Sequence, residues 1–97
     1  MVSKKFKRRL ASAMSTEKPT VWVGKAGVSE GLVEEVSRQL DARRAVKVKV
    51  QRSVLADRTV KDVAAEVATR TGAELIEVRG HTFVLYRRRR RQQDARR

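Results

Sequence analysis

The stretch VWVGKAGVSEGLVEEV, residues 21–36, joins a short apolar run to two glycines and then to apolar residues at helical spacing. Its first three residues are typical of a strand, and Ser29 before the apolar stripe predicts a helix start. Gly24 and Gly27 therefore lie between a strand and a helix N-terminus. At such a place glycine lets the backbone approach a ligand closely, and the free amide groups favour an anion. Lys25 adds a positive charge between the two glycines.

The spacing of these glycines fits a loop for one or a few backbone phosphates. The chain has neither G-x-G-x-x-G nor G-x-x-x-x-G-K-[ST], so the common nucleotide-binding loops are excluded. A G-x-x-G loop is the element with which KH domains clamp a nucleic-acid backbone. We therefore predict that Gly24, Lys25, Ala26 and Gly27 bind phosphate. The alternative, that both glycines only satisfy turn geometry, stays open.

The remaining pattern predicts three helices and four strands. Before the glycines, residues 3–14 carry one apolar stripe on a basic helix that Ser3 can cap, and Pro19 then leads into extended structure. The helix after Ser29 is expected to end near Arg43. Strand 46–50 follows, and its valines alternate with polar residues.

A capping box and a turn glycine define the last part of the predicted fold. Thr59 and Asp62 resemble a capping box at the start of a third helix, and Gly72 suits its C-terminal end. Gly80 then divides a β-hairpin, in which Ile76 and Val78 are expected to share the buried face with later alternating residues. The fold class is α/β of the two-layer α+β type, with a mixed four-stranded sheet packed against helices. We expect one domain over residues 1–88 and a basic disordered tail over 89–97.

Positive charge is the strongest signal in the composition. The 97 residues carry 24 Lys plus Arg against 11 Asp plus Glu, a net charge of +13. Five of these cations lie between residues 4 and 9, and seven arginines follow residue 86. A polyanion is the natural partner, although a basic tail can also serve solubility alone. The absence of cysteine excludes disulfides and thiolate sites, and with neither a secretory signal nor a membrane span recognised we expect a cytoplasmic location.

Several cations are candidates for contacts with the polyanion. Strand alternation places Lys47 and Lys49 on one wet, basic face of the predicted sheet, where a merely solvated surface is the alternative. Arg43 and Arg44 could extend this patch or only complement the helix dipole. The predicted RNA-binding set also includes two lysines of the first helix, Lys4 and Lys5.

Other side chains offer weaker signals for function. Trp22 and Tyr86 could stack on unpaired bases, Tyr86 being the better candidate, although single aromatic residues in short strands more often pack in a core. The one histidine, His81, is expected to be a turn residue. Acidic residues fall at spacings that suit surface ion pairs with Arg38 and Arg70. We therefore expect no enzyme, no cofactor, no metal and no small-molecule substrate.

The combined pattern resembles a known family. WVGKAGVSEGLVEEV, then VKVKV, then TGAELIEVRGHTFVLYRR are similar to the CRM (chloroplast RNA splicing and ribosome maturation) domain, especially its small stand-alone YhbY-like members. The resemblance covers residues 3 to about 88. It implies an RNA-binding domain with the order α-β-α-β-α-β-β, similar to the C-terminal domain of bacterial translation initiation factor 3. It also implies a role in assembly of the large ribosomal subunit, with the loop 24–27 as the site.

The sequence thus predicts a non-enzymatic protein, expected to be a monomer, that binds structured RNA, ribosomal RNA or its precursor. A DNA-binding or nucleoid-associated protein is the alternative suggested by the same charge. A third reading is a scaffold that binds acidic protein or anionic membrane through the helix at residues 4–14, but its narrow apolar stripe makes stable membrane association unexpected.

Overall fold

The computed structural model describes residues 2–88. The elements in chain order are α1 (Lys4–Met14), β1 (Val21–Val23), α2 (Glu30–Arg43), β2 (Ala45–Val50), a 3₁₀ helix (Arg52–Ala56), α3 (Val60–Thr71), β3 (Glu74–Arg79) and β4 (Thr82–Tyr86). The predicted order of helices and strands is confirmed. The 3₁₀ helix is an addition that the sequence pattern did not predict. The expected tail, residues 89–97, lies outside the described residues.

The four strands form one mixed sheet in the order β1-β2-β4-β3. β1 and β2 are parallel, joined by α2 as crossover, and β4 pairs antiparallel with both β2 and β3. One face of the sheet packs against α2 and α3 and forms the core. This core is mostly valine, completed by a few larger side chains, notably Leu40, Phe83 and Leu85. The mixed sheet with packed helices confirms the predicted fold class.

Local capping signals are used as the sequence predicts. The Ser29 hydroxyl accepts a hydrogen bond from the Leu32 amide at 3.1 Å, with no reciprocal partner. Thr59 and Asp62 form a complete capping box at the start of α3. Gly72 ends α3 in the left-handed conformation, with φ of 70°. These short-range interactions fix where α2 and α3 begin and where α3 ends.

The second face of the sheet is partly covered by α1. Phe6 packs edge-to-face against Tyr86 with ring centroids 4.8 Å apart, and Lys7 lies 3.5 Å from the Glu74 carboxylate. This cover explains why Val84 is buried although its neighbours in β4 point to the opposite face. The second face of the sheet is therefore not uniformly exposed, because α1 covers its β3–β4 half.

β3 departs from the regular alternation predicted for it. Its pairing with β4 shifts between Leu75 and Glu77, so Ile76 lies in a bulge. Leu75 pairs with Leu85 above the core, whereas Val78 remains 38% exposed. The prediction that Ile76 and Val78 share the buried face is wrong because the inserted residue changes which side chains face inward.

Arg87 belongs to the folded domain rather than to a loose basic tail. Its guanidinium donates hydrogen bonds to the Thr71 carbonyl at 2.6 Å, the Ser37 carbonyl at 2.9 Å and the Asp41 carboxylate at 2.8 Å. Only 11% of its side chain is exposed. This arginine thus joins the ends of α2, α3 and β4, and its charge does not contribute to a free basic surface.

Within residues 2–88, no helix combines the length and the apolar character needed to cross a membrane.

Candidate nucleic-acid interface

The glycine loop lies where the C-terminal ends of β1 and β2 meet. These strands are parallel, so both end at the same edge of the sheet, and the Gln51 amide donates to the Val23 carbonyl at 2.9 Å. The β3–β4 turn reaches the same edge, because the His81 carbonyl accepts from the Val50 amide at 2.7 Å. Three backbone connections therefore converge at one end of the sheet.

Residues 24–27 form a tight turn with an open tip. The Gly27 amide donates to the Gly24 carbonyl at 2.8 Å, which places Lys25 and Ala26 at the tip, where both are exposed. Gly27 has φ of +71°, a conformation that residues with a Cβ rarely adopt. A Cβ built on Gly27 would have no heavy atom within 4 Å, so the space beside it is open. The turn therefore leaves backbone accessible on its outer side.

Gly24 has a different reason to be glycine. A Cβ at this position would lie 3.3 Å from the Gln51 side-chain oxygen, tighter than ordinary van der Waals contact. Gly24 thus allows the β1 end to lie close to the residue that follows β2. Gly27 is thus required by turn geometry and Gly24 by close approach to Gln51. These structural reasons are compatible with a role of the loop in ligand binding.

The segment after the turn leads directly into α2 and is held in place by a hydrogen bond from α3. The Arg70 guanidinium of α3 donates to the Val28 carbonyl at 3.0 Å and lies 3.5 Å from Glu66. Ser29 then caps α2, whose first amide groups follow the turn. A helix N-terminus beside accessible backbone is an arrangement that favours an anion.

The two lysines predicted on β2 have different surroundings. Lys49 is exposed, whereas the Lys47 ammonium donates to the carbonyls of Met14 at 3.0 Å and Glu17 at 2.9 Å. Lys47 thus satisfies backbone acceptors at the C-terminal end of α1. The prediction that both lysines lie on one open, wet face is wrong for Lys47, because α1 covers that part of the sheet.

The other predicted cations lie at the opposite end of the sheet from the loop. Arg43 ends α2 and Arg44 follows it immediately before β2, which is about 17 Å long. Lys4 and Lys5 begin α1, next to Phe6, which packs on Tyr86 at that same far end. The structure therefore groups Lys25 and Lys49 with the loop and separates Arg43, Arg44, Lys4 and Lys5 from it.

Three exposed residues at the same end of the sheet as the loop were not in the predicted binding set. Arg52 begins the 3₁₀ helix directly after Gln51 and is exposed. Arg79 is exposed at the end of β3, and Trp22 in β1 is 54% exposed. Trp22 lies only two residues before Gly24, so the sequence itself places it beside the loop. The positions of Arg52 and Arg79 depend on strand order, which the sequence pattern does not give. Tyr86, the aromatic residue favoured for stacking, is instead packed beneath Phe6.

Glu35 and Glu66 form the ion pairs with Arg38 and Arg70 that their spacing predicts, whereas within residues 2–88 Glu34 and Asp62 form none. Glu66 accepts from Arg58 at 2.8 Å as well as contacting Arg70, and Glu35 lies 2.6 Å from Arg38. The hydrogen bond from Arg38, followed by one from Gln39, holds the pKa of Glu35 below its ordinary value. The charges of Glu35 and Glu66 are thereby neutralised locally, while within residues 2–88 Lys25, Lys49 and Arg52 form no ion pair.

The remaining candidate chemistry is limited. His81 is exposed in the β3–β4 turn. Among residues 2–88 no group of three or more His, Asp or Glu side chains lies close enough together to hold a metal ion.

The sequence and the fold both match known proteins. The pattern that defines the CRS1/YhbY (CRM) domain matches residues 2–87. This chain belongs to that family. A protein of Methanocaldococcus jannaschii named "probable RNA-binding protein" is 40% identical over 83 residues, which are 86% of this chain and 61% of the relative. This chain therefore spans less than two thirds of the length of that relative.

Two further proteins are similar over most of both chains. A Bacillus subtilis protein, also named "probable RNA-binding protein", is 32% identical over 87 residues, which are 90% of this chain and 88% of the relative. The solution structure of a hypothetical Staphylococcus aureus protein, described as a candidate RNA-binding protein, superposes with a TM-score of 0.78 at 27% identity. That superposition covers 97% of this chain and 96% of the other. It confirms the CRM-type fold.

Proposed function

We propose that this protein binds structured RNA without catalysing a reaction, and that the RNA is ribosomal RNA or its precursor. The observation that carries the proposal is the open turn at Gly24–Gly27, with accessible backbone, a helix N-terminus and exposed cations at one end of the sheet. Membership of the CRS1/YhbY (CRM) family and the names of its relatives support RNA as the polyanion.

Binding would depend mainly on phosphate contacts and on RNA shape. A sugar-phosphate strand that passes the tip of the turn meets the backbone beside Gly27 and the amides that begin α2. Lys25 supplies charge at the tip, and Lys49 and Arg52 extend the positive surface beside it. Such contacts fix the position of an RNA but carry little sequence information.

The more specific part of the proposal is assistance in assembly of the large ribosomal subunit. It rests on resemblance to the ribosome-maturation members of the family. A small basic domain that binds the sugar-phosphate backbone is suited to stabilising a folding intermediate of a large RNA, because it recognises the shape of the RNA without requiring one sequence.

Competition binding tests the RNA part of the proposal against the DNA-binding alternative. A labelled ribosomal RNA stem-loop is bound to the full chain at fixed salt, and unlabelled RNA or duplex DNA with the same number of phosphates is added. The proposal predicts that RNA competes at clearly lower concentration than DNA. Equal competition would favour a general nucleic-acid or nucleoid-associated function, because charge alone does not separate the two polymers.

Crosslinking in cells tests the ribosomal part. Sequencing of RNA crosslinked to the protein should return fragments of the large-subunit ribosomal RNA or its precursor, concentrated in a few regions. Fragments spread over messenger and transfer RNAs in proportion to abundance would contradict the ribosomal assignment and leave RNA binding intact.

A further inference from the structure

Helix α1 covers only part of the second face of the sheet and leaves one row of side chains open. The strand registers align Trp22 with Lys49, Lys49 with Thr82, and Thr82 with Arg79, so these four residues form one row across all four strands. The next row contains Lys47 and is covered at the end of α1. The open row is therefore the one adjacent to the glycine loop.

The composition of this row is unusual for a surface that faces only water. Trp22 is 54% exposed and is the largest exposed apolar side chain in residues 2–88. Lys49 and Arg79 are exposed in the same row. Thr82, between them, is small, and its hydroxyl donates to the Arg79 carbonyl at 2.8 Å instead of pointing to a partner outside. Trp22 thus lies directly beside Lys49. Arg79, which also contacts the Glu77 carboxylate at 3.5 Å, ends the row at the other edge of the sheet, about 14 Å from Trp22.

We infer that this row binds an unpaired nucleotide of the RNA, with the base stacked on Trp22 and adjacent phosphates near Lys49 and Arg79. The inference rests on the proposed RNA-binding function and extends it to a substrate class, namely RNA with an unpaired segment next to a paired region. Base-aromatic stacking tolerates any base, because every base presents a π-face, and it is reinforced by cations that track the backbone.

The position of the row relative to the glycine loop supports this assignment. Trp22 precedes Gly24 by two residues, and Lys49 lies beside Trp22 in the register. An RNA strand whose phosphates bind at the glycine loop can therefore continue directly onto this row of side chains. The charge of the row complements a nucleic acid, whereas an apolar protein partner would require further exposed apolar side chains around Trp22.

The chain offers a direct probe, because Trp22 is its only tryptophan. The full chain is titrated with a stem-loop RNA that has a uridine-rich unpaired loop, and with a blunt RNA duplex of the same number of phosphates. We expect the stem-loop to quench tryptophan fluorescence and the duplex to leave it nearly unchanged.

Substitution at Trp22 then separates stacking from general binding. Trp22→Leu should weaken stem-loop binding about tenfold, whereas Trp22→Phe should retain most of the affinity, and duplex binding should change little in either variant. Val78→Thr is a matched control, since it alters an exposed apolar residue aligned with the opposite face. Thermal unfolding verifies that each variant is folded.

The outcomes distinguish this inference from the proposed function. If both RNAs bind the parent and Trp22→Leu equally well, without quenching of the parent, the stacking assignment is overturned while RNA binding stands. If neither RNA binds the parent chain, the proposed function fails and the inference fails with it.

Discussion

At the scale of single residues, Lys47 and Lys49 show how the same side chain serves two purposes. They are two positions apart on one face of β2, so sequence alternation treats them alike. The Lys47 ammonium donates hydrogen bonds to carbonyls at the end of α1, whereas Lys49 lies in the open row next to Trp22. The distinction arises from where α1 ends.

Exchanging each lysine for glutamine removes the same charge and should produce different effects. Lys47→Gln should lower the free energy of unfolding by about 1–2 kcal/mol, because backbone acceptors lose a charged donor. Lys49→Gln should leave stability within about 0.5 kcal/mol and weaken RNA binding several-fold. Denaturant unfolding and fluorescence anisotropy measure the two quantities. Equal losses of affinity with no difference in stability would contradict the assigned roles.

At the scale of elements, Arg87 is the clearest case of a residue whose role depends on tertiary structure. It follows β4 and donates to carbonyls in the middle of α2 and at the end of α3. In the sequence it is the first of five consecutive arginines and is indistinguishable from those that follow. Its folded neighbours are 16 to 50 positions away, a separation that local pattern does not reveal.

Arg87→Gln should destabilise the domain by about 2–4 kcal/mol, because two part-buried carbonyls and the Asp41 carboxylate lose the donor that they share. Arg88→Gln removes the same charge from an exposed neighbour and should change stability by less than about 0.5 kcal/mol. Thermal or denaturant unfolding of both variants provides the comparison. Similar stability in the two variants would show that the contacts of Arg87 contribute little.

The difference between local and long-range contacts explains how much of the fold the sequence predicts. Element order, the Ser29 and Thr59 caps and the Gly72 helix end depend on contacts within a few residues, so their signals are readable in the chain. The bulge at Ile76 and the placement of α1 on the second face depend on pairing between distant segments. Propensity and alternation carry little information about those contacts.

The candidate site likewise has one part that the sequence predicts and another that depends on tertiary structure. The loop 24–27 is a contiguous motif and was predicted completely, although its role in binding stays a proposal. Trp22 precedes the loop by two residues, so the sequence places it there, whereas only the strand order brings Arg52 and Arg79 to the same end of the sheet. Conversely, Arg43, Arg44, Lys4 and Lys5 were grouped with the loop by charge, and the structure separates them.

At the scale of the whole molecule, the positive charge is divided between the folded domain and the last nine residues. Residues 89–97 contain five arginines and one aspartate. If they contribute phosphate contacts, ending the chain after Arg88 should leave thermal stability unchanged and reduce the slope of log affinity against log salt by about 1–4 units. Binding of a ribosomal RNA stem-loop at several salt concentrations measures this slope. An unchanged slope would confine binding to the folded domain.

The central claim is that RNA backbone approaches the turn beside Gly27, and substitution of this glycine tests it most directly. Gly27→Asp and Gly27→Asn impose similar strain at φ of +71°, about 1 kcal/mol, but only aspartate adds a negative charge. Gly72→Asp is the matched control, with φ of +70° and open space at the end of α3.

The measurement is the dissociation constant of a ribosomal RNA stem-loop for these three variants and the parent, each verified as folded by circular dichroism. We predict that Gly27→Asp weakens binding at least about tenfold, Gly27→Asn less, and Gly72→Asp by no more than a few-fold. A folded Gly27→Asp protein that binds the RNA as tightly as the parent would contradict the account.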